Sequence, residues 1–170
     1  MKRTSAEKKI EIDPDYRFMR EAMAEAERAL DEGEIPVGAV VTLNGEIVGR
    51  GRNGRRSGNM PFAHAEICAL SEAGKNLNAW RFDGCALYVT LEPCAMCAGA
   101  IVQTRVSRVV YGASDPRAGA AGTLYDILRD PRMSHRCLVT SGVMEAEAAA
   151  LLRKFFSARR KDQYRSTCCD

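Results

Sequence analysis

Two short fragments hold the residues best suited to chemistry. His64-Ala65-Glu66 opens one stretch of helix-forming sequence, and Pro93-Cys94-Ala95-Met96-Cys97 opens another, with Cys94 30 positions after His64. Cys94 and Cys97 are spaced i, i+3, so one helical face can aim both sulfurs at a single point. Pro93 suits a helix start, where its missing N–H is no loss. His64 adds a nitrogen donor, and thiolates combined with imidazole select zinc over magnesium or calcium. Three protein ligands leave one tetrahedral vertex open, the pattern of a catalytic zinc. A water at that vertex has its pKa lowered to about 7. Both helices would turn their positive N-terminal ends to the site, which favours thiolates and developing negative charge. Glu66 lies two residues from a ligand and is not needed as one. A carboxylate there can take a proton from water and return it to a leaving group, general acid–base work worth about 10²–10⁴ in rate. The reaction this suits is hydrolytic replacement of an amino group on an electron-poor ring.

On the residues alone other readings stay open. A Cys-x-x-C pair also serves as a redox couple or half of a structural zinc site. Cys68 lies four residues after His64 on the same helical face and would complete a closed Cys3His site, leaving Glu66 as ordinary helix surface. Cys85 and Cys137 sit in apolar, strand-like contexts that suit core packing. His135 follows a loop and suits either packing or an RNA edge.

The surrounding composition is that of an ordinary globular protein: 170 residues, 46% hydrophobic and 28% charged, with 14 Gly and 6 Pro. That excludes a disordered tail protein and a collagen-like fibre. No apolar run approaches the roughly 18 residues of a membrane span, and the basic start has no apolar stretch behind it to make a secretory signal. Seven cysteines, an odd number, argue against a disulfide framework and for a reducing, cytoplasmic setting. The net charge of +3 is unevenly spread. Residues 13–34 hold eight acidic and three basic side chains, while basic residues gather at Arg50, Arg52, Arg55 and Arg56 and again at Arg153, Lys154, Arg159, Arg160, Lys161 and Arg165. Two such clusters suit a polyanion such as nucleic acid, or simply a solvated surface.

The elements that must position the two fragments follow from local signals. Residues 1–12 read as a loose arm, 13–165 as a single domain and 166–170 as a tail carrying Cys168 and Cys169. Asp13-Pro14 opens a helix by the N-cap and N1 preferences, with Tyr16, Met19, Met23, Ala26 and Leu30 as its apolar stripe and Gly33 at its end. Val37–Leu43 and Ile47–Arg52 flank Asn44-Gly45, the strongest short hairpin signal. A helix over Ala63–Leu77, a strand over Cys85–Thr90, a helix over Cys94–Val102 and a strand over Val106–Tyr111 come next. Residues 112–122 are a Gly/Ala loop too small-residued for the core. Leu138–Ser141 forms a last strand, and Met144–Arg165 a long helix with Ala148, Leu151, Leu152 and Phe155 inward. This order predicts an α/β protein, a three-layer α/β/α sandwich around a mixed sheet of about five strands, with some strands made parallel by helical crossovers.

HAE with PCAMC resembles the known signature of the zinc-dependent nucleobase deaminases, in which the glutamate is the acid/base. Several further blocks narrow the resemblance: EIPVGAVV (34–41), GRN (51–53), AHAEI (63–67), LYVTLEPCAMCAGAIV (87–102), RVVYGASDPRAGAAGTL (108–124) and FFSARRK (155–161). Together, over about residues 15–161, they resemble the bacterial tRNA-specific adenosine deaminase family. The resemblance implies a cytidine-deaminase-like fold and a homodimer with one zinc per subunit. It also implies conversion of the wobble adenosine of a tRNA anticodon loop, usually of an arginine tRNA, to inosine, with no role for DNA. By position it makes His64, Cys94 and Cys97 the zinc ligands and Glu66 the proton shuttle. Asn53 would hold the flipped nucleotide, and Ile35, Pro36 and Val37, with Ala65, would wall the base. Asp115 would approach the RNA backbone, and Phe156, Arg159 and Arg160 would border the anticodon loop. The chain departs from the family pattern with Arg52 where an aromatic is frequent, Arg117 where lysine is common and Ser157 where arginine is frequent. An anticodon loop is already single-stranded, which lowers the few kcal/mol needed to splay out a base. The metal motifs by themselves also permit a free-base deaminase, acting on guanine or cytosine, and a non-catalytic RNA-binding protein with a structural zinc.

Overall fold

The computed structural model describes residues 13–167, and of residues 161–167 the backbone alone. The arm expected over residues 1–12, and Cys168 and Cys169, lie outside the described residues. The elements are α1 (Pro14–Asp31), β1 (Gly38–Leu43), β2 (Glu46–Arg52), α2 (Ala65–Leu77), β3 (Ala86–Leu91), α3 (Ala95–Gln103), β4 (Arg108–Ala113), β5 (Leu138–Thr140) and α4 (Glu145–Thr167). Among the described residues no helix is long and apolar enough to cross a membrane.

The five strands form one mixed sheet in the order β2-β1-β3-β4-β5. β1 pairs antiparallel with β2 and β3, whereas β3–β4 and β4–β5 are parallel. The β3–α3–β4 crossover makes the first parallel pair, as expected. The second is joined by a long segment with no helix. Side chains alternate between the two faces. Ala39, Val41, Leu87, Val89 and Val109 pack with α2 and α3, while Val40, Tyr88 and Val110 pack with α1. α4 joins α1 on that second face through Ala148, Met23 and Ala113. The architecture is the expected three-layer α/β/α sandwich.

Local chemistry accounts for the boundaries. The Asp13 side chain accepts from the Asp15 N–H at 3.0 Å, capping α1 with Pro14 in its first turn. Asn44 and Gly45 both take positive φ, 52° and 82°, which a type I′ turn requires. Gly49 and Gly51 let β2 lie directly against α2. A Cβ at Gly51 would strike the Ala65 carbonyl, and one at Gly49 the Ala69 carbonyl. This close seating sets the start of α2, and so His64 and Glu66, against the sheet.

Three expectations are corrected. The buried face of α1 runs through Phe18, Met19, Ala22, Met23, Glu25, Ala26 and Ala29, whereas Tyr16 is 44% exposed. Phe18, Ala22 and Ala29 take the inward positions in place of Tyr16 and Leu30, and Glu25 is accommodated among them by ion pairs with Arg28, Arg50 and Arg52. Residues 112–122 are not merely a surface loop, since Ala120 and Ala121 are fully buried against the core. Small side chains let the backbone pack closely there. On α4, Ala148 and Phe155 are buried, but Leu151 and Leu152 are only half-buried.

Candidate active site

His64 is the N-cap of α2 and Cys94 the N-cap of α3, so two helix N-termini meet at the cluster. Cys97 lies in the first turn of α3 and is fully buried. His64 Nδ1 is 3.6 Å from Cys94 Sγ and 3.4 Å from Cys97 Sγ. One ligand atom from each residue lies within 4.8 Å of the others. A nitrogen and a sulfur on a tetrahedral zinc stand about 3.6 Å apart, given the usual bond lengths. The cluster thus has both the donor set and the spacing for one Zn²⁺. The three groups also share protons. The Cys94 thiol is drawn down to about 3 by hydrogen bonds from Cys97 and then from His64, the Cys97 thiol is pushed up by its bond to Cys94, and the His64 pKa is raised by Cys94. A divalent cation replaces such protons when it binds.

Cys68 is not part of the cluster, which among the described residues comprises His64, Cys94 and Cys97 alone. Its Cβ instead lies beneath β2 at Gly51. The donor set therefore numbers three, as in an open site, and the closed Cys3His alternative finds no fourth ligand. Cys85 and Cys137 are buried in the core, and the Cys137 thiol donates to the Val106 carbonyl. His135 donates from Nε2 to the same carbonyl at 2.7 Å, a packing contact.

Two members of the cluster, His64 and Cys94, line the floor of a cavity of about 520 Å³, while Cys97 is fully buried and does not line it; the volume is within the usual range for small-ligand sites. Glu66 is on that floor, 4% exposed, and burial pushes its carboxyl up to about 7. A carboxyl poised there can both accept and release a proton near neutral pH. Ile35, Val37 and Ala65 line the apolar wall, and Asn53 stands beside them. Pro36 is buried but is not among the lining residues. The opposite wall is the segment Ser114–Ala118, and Leu152 and Phe156 reach in from α4. Asp115 lines the cavity, while its Oδ1 accepts from the Arg117 and Ala118 N–H groups and shapes its own turn.

A shallower recess of about 370 Å³ shares Ile35, Asn53 and Arg55 with the main cavity and adds Arg56 and Arg159. Arg160 is exposed and lines neither cavity. The first basic cluster divides. Arg55 and Arg56 face the recess, whereas Arg50 pairs with Glu21 and Arg52 with Glu32 and buried Glu25, all on or just beyond α1. The acidic residues of α1 thus neutralise half of the cluster that the sequence groups together.

Two buried acids at the site were not singled out from the sequence. Glu92, 2% exposed, accepts from the N–H groups of Asp115, Ala121 and Thr123 and from the Thr123 hydroxyl. Burial raises its pKa, but these hydrogen bonds outweigh it and hold the carboxyl below the ordinary value. Glu34, 1% exposed, accepts at Oε1 from the Arg56 and Ser57 N–H groups and at Oε2 from the Asn53 amide at 3.0 Å. It too is held below the ordinary range, backbone hydrogen bonds from Ser57 and Arg56 outweighing burial. The available signal is an acid embedded in apolar sequence, in LYVTLEPC and EIPVGAVV.

Residues 12–113 match the zinc-binding region of cytidine and deoxycytidylate deaminases. The chain is 48% identical over 147 residues to a tRNA-specific adenosine deaminase of Bacillus subtilis, covering 86% of this chain and 91% of the relative. It is 44% identical over 144 residues to one of Streptococcus pyogenes, covering 85% and 91%. A solved structure from a study of A-to-I editing by tRNA deaminases at the wobble position matches with a TM-score of 0.77 at 42% identity, over 80% of this chain and 99% of that one. A guanine deaminase from Nitrosomonas europaea matches with a TM-score of 0.68 at 27% identity, over 82% and 83%. The ligand triad at two helix N-termini, the α/β/α sheet order and a match spanning more than half of its length agree: this chain belongs to the zinc-binding cytidine and deoxycytidylate deaminase family.

Proposed function

We propose that this chain hydrolyses the wobble adenosine of a tRNA anticodon loop to inosine, releasing ammonia, with an arginine tRNA as the first substrate to test. The observation that carries the reading is Glu66, buried on the floor of a 520 Å³ cavity beside a three-ligand His/Cys/Cys cluster. The names of the high-identity relatives support tRNA as the substrate.

His64, Cys94 and Cys97 would hold the zinc, which when bound supplies Lewis acidity toward water. The remaining work falls to the chain's own side chains. Glu66 takes a proton from the attacking water and passes it to a ring nitrogen as the carbon–oxygen bond forms; it then takes the second proton from the newly bound hydroxyl and delivers it to the amine as the carbon–nitrogen bond breaks, leaving a carbonyl and ammonia. Its burial keeps it able to hold or yield that proton near neutrality. Ile35 and Val37 pack on the extruded base and exclude water from its faces. Asn53 offers an amide to the nucleotide edge. Phe156 stacks at the mouth, and Arg55, Arg117, Arg159 and Arg160 offset phosphate charge. Asp115 faces the ribose, whose 2′-OH distinguishes RNA from DNA. The enzyme would act in the cytoplasm as a homodimer, and light scattering at micromolar concentration tests the latter.

An ammonia-release assay on a tRNA arginine anticodon hairpin, run beside free adenine, guanine and cytosine, tests the reading. Turnover of the hairpin with little on free bases is expected. A strong preference for free guanine would favour a free-base deaminase, and binding without ammonia release a non-catalytic RNA-binding role.

A further inference from the structure

Asn53 has two ways to face the cavity, with its carbonyl or with its NH2 group, and the two select opposite substrate groups. Its neighbour fixes which end the carbonyl takes: Glu34 accepts one N–H of the amide, and the carbonyl is the end turned away from it. Glu34 Oε2 lies 3.0 Å from Asn53 Nδ2, and Oε1 is already occupied by the Arg56 and Ser57 N–H groups at 2.7 and 2.8 Å. An ionised carboxylate accepts and cannot donate. Turning the amide over would set two acceptors against each other where Glu34 is 1% and Asn53 5% exposed, a heavily penalised arrangement in so dry a place. The same carboxylate also ties the loop after β2, which carries Arg55 and Arg56, to the loop after α1, which carries Ile35.

We propose that Glu34 is a positioning residue that holds the Asn53 amide with its NH2 turned inward and its carbonyl toward the cavity, so that the site reads a hydrogen-bond donor on the extruded nucleotide. This deepens the adenosine-deaminase reading and rests on it. Glu34 touches neither the reacting atoms nor the metal ligands; it acts through Asn53.

A reciprocal exchange tests the idea. Glu34→Gln removes the obligatory acceptor and frees the Asn53 amide to turn. Asn53→Asp sets two carboxylates face to face. In the double variant E34Q/N53D the introduced amide keeps its oxygen for the two backbone N–H groups and donates from its nitrogen to the new carboxylate, which still offers an oxygen to the substrate. On the anticodon hairpin, with zinc-loaded protein of matched metal content, each single variant is expected to lose about 10-fold or more in kcat/KM, mostly through KM. The double variant is expected to recover most of that loss, a non-additivity that a merely structural role would not produce. Losses that multiply in the double variant, or wild-type KM in E34Q, would overturn the proposal. A second readout needs no variant to fold and no turnover. In the 1H–15N spectrum of the zinc-loaded wild type, one Asn53 side-chain proton should be shifted downfield by the carboxylate, and an ordinary shift for both would also overturn it. A wild-type protein inactive on the hairpin would sink the substrate reading instead, and the spectrum would still decide the role of Glu34.

Discussion

The backbone N–H of Asp115 donates to the Glu92 carboxylate at 3.0 Å, and Glu92 stands two residues before Cys94. One buried side chain thereby links the strand end that delivers a metal ligand to the loop that walls the cavity. Ala121 and Thr123 complete the clasp. At Gly119, a Cβ would meet the Glu92 carboxylate and lie 2.6 Å from the Asp115 carbonyl. We expect Glu92→Gln to cost about 1–3 kcal/mol, because its new NH2 group would face backbone donors left without an acceptor. Gly119→Ala should destabilise through the same clasp. Urea denaturation at neutral pH measures both, and wild-type midpoints would refute the clasp.

The two buried glutamates also predict an acid dependence. Both are held below the ordinary 4.5 in the folded protein. The unfolded chain therefore binds protons first as the pH falls. Their contribution to stability is complete above about pH 4.5 and is lost as the pH drops through their lowered folded values. Urea midpoints measured from pH 7 down to pH 3 should fall below about pH 4.5, and the fall should be shallower in Glu92→Gln. An equal slope in the two proteins would contradict the assignment.

Glu66→Ala should keep its zinc, since the carboxylate is not among the three ligands, yet lose inosine formation by at least about 10²–10⁴. Metal analysis and inosine detection on the anticodon hairpin read the two properties separately. Full activity in this variant would remove Glu66 from the mechanism.

Metal retention should separate the cysteines. Cys97→Ala removes one of three donors and should abolish stoichiometric zinc, whereas Cys68→Ser, altering a residue outside the cluster, should retain it. Loss of zinc from Cys68→Ser would revive the closed four-ligand site.

The arginines should separate in the same way. Arg159→Ala, at the recess, should weaken hairpin binding and reduce the salt slope by up to about 0.7 for a lost single-strand phosphate contact. Arg52→Ala should leave that slope unchanged and lower stability instead, because it strips a partner from buried Glu25. Binding titrations at several salt concentrations, beside urea denaturation, test both halves.

Much of the site is local information, and local information is legible in residue order. The i, i+3 cysteines, the helix-starting Pro93 and the neighbouring His64 and Glu66 name a donor set and an acid/base because each fragment is brought to one point by a single helix N-terminus. The Asp13-Pro14 cap and the Asn44-Gly45 turn follow from backbone preferences within a few residues, and the near-continuous apolar runs of β1, β3 and β4 announce a sheet covered on both faces. Tertiary structure decided what depends on groups far apart in the chain. Arg50 and Arg52 resemble Arg55 and Arg56 in sequence, yet they are consumed by acids on or just beyond α1 some 20 to 30 residues away. Glu34 and Glu92 are ordinary acids until loops 19 to 31 residues away supply the N–H groups that make burying a charge tolerable. Periodicity records which side of an element meets apolar surface. It carries no record of which distant amide will meet a carboxylate, because that is set only when the layers close.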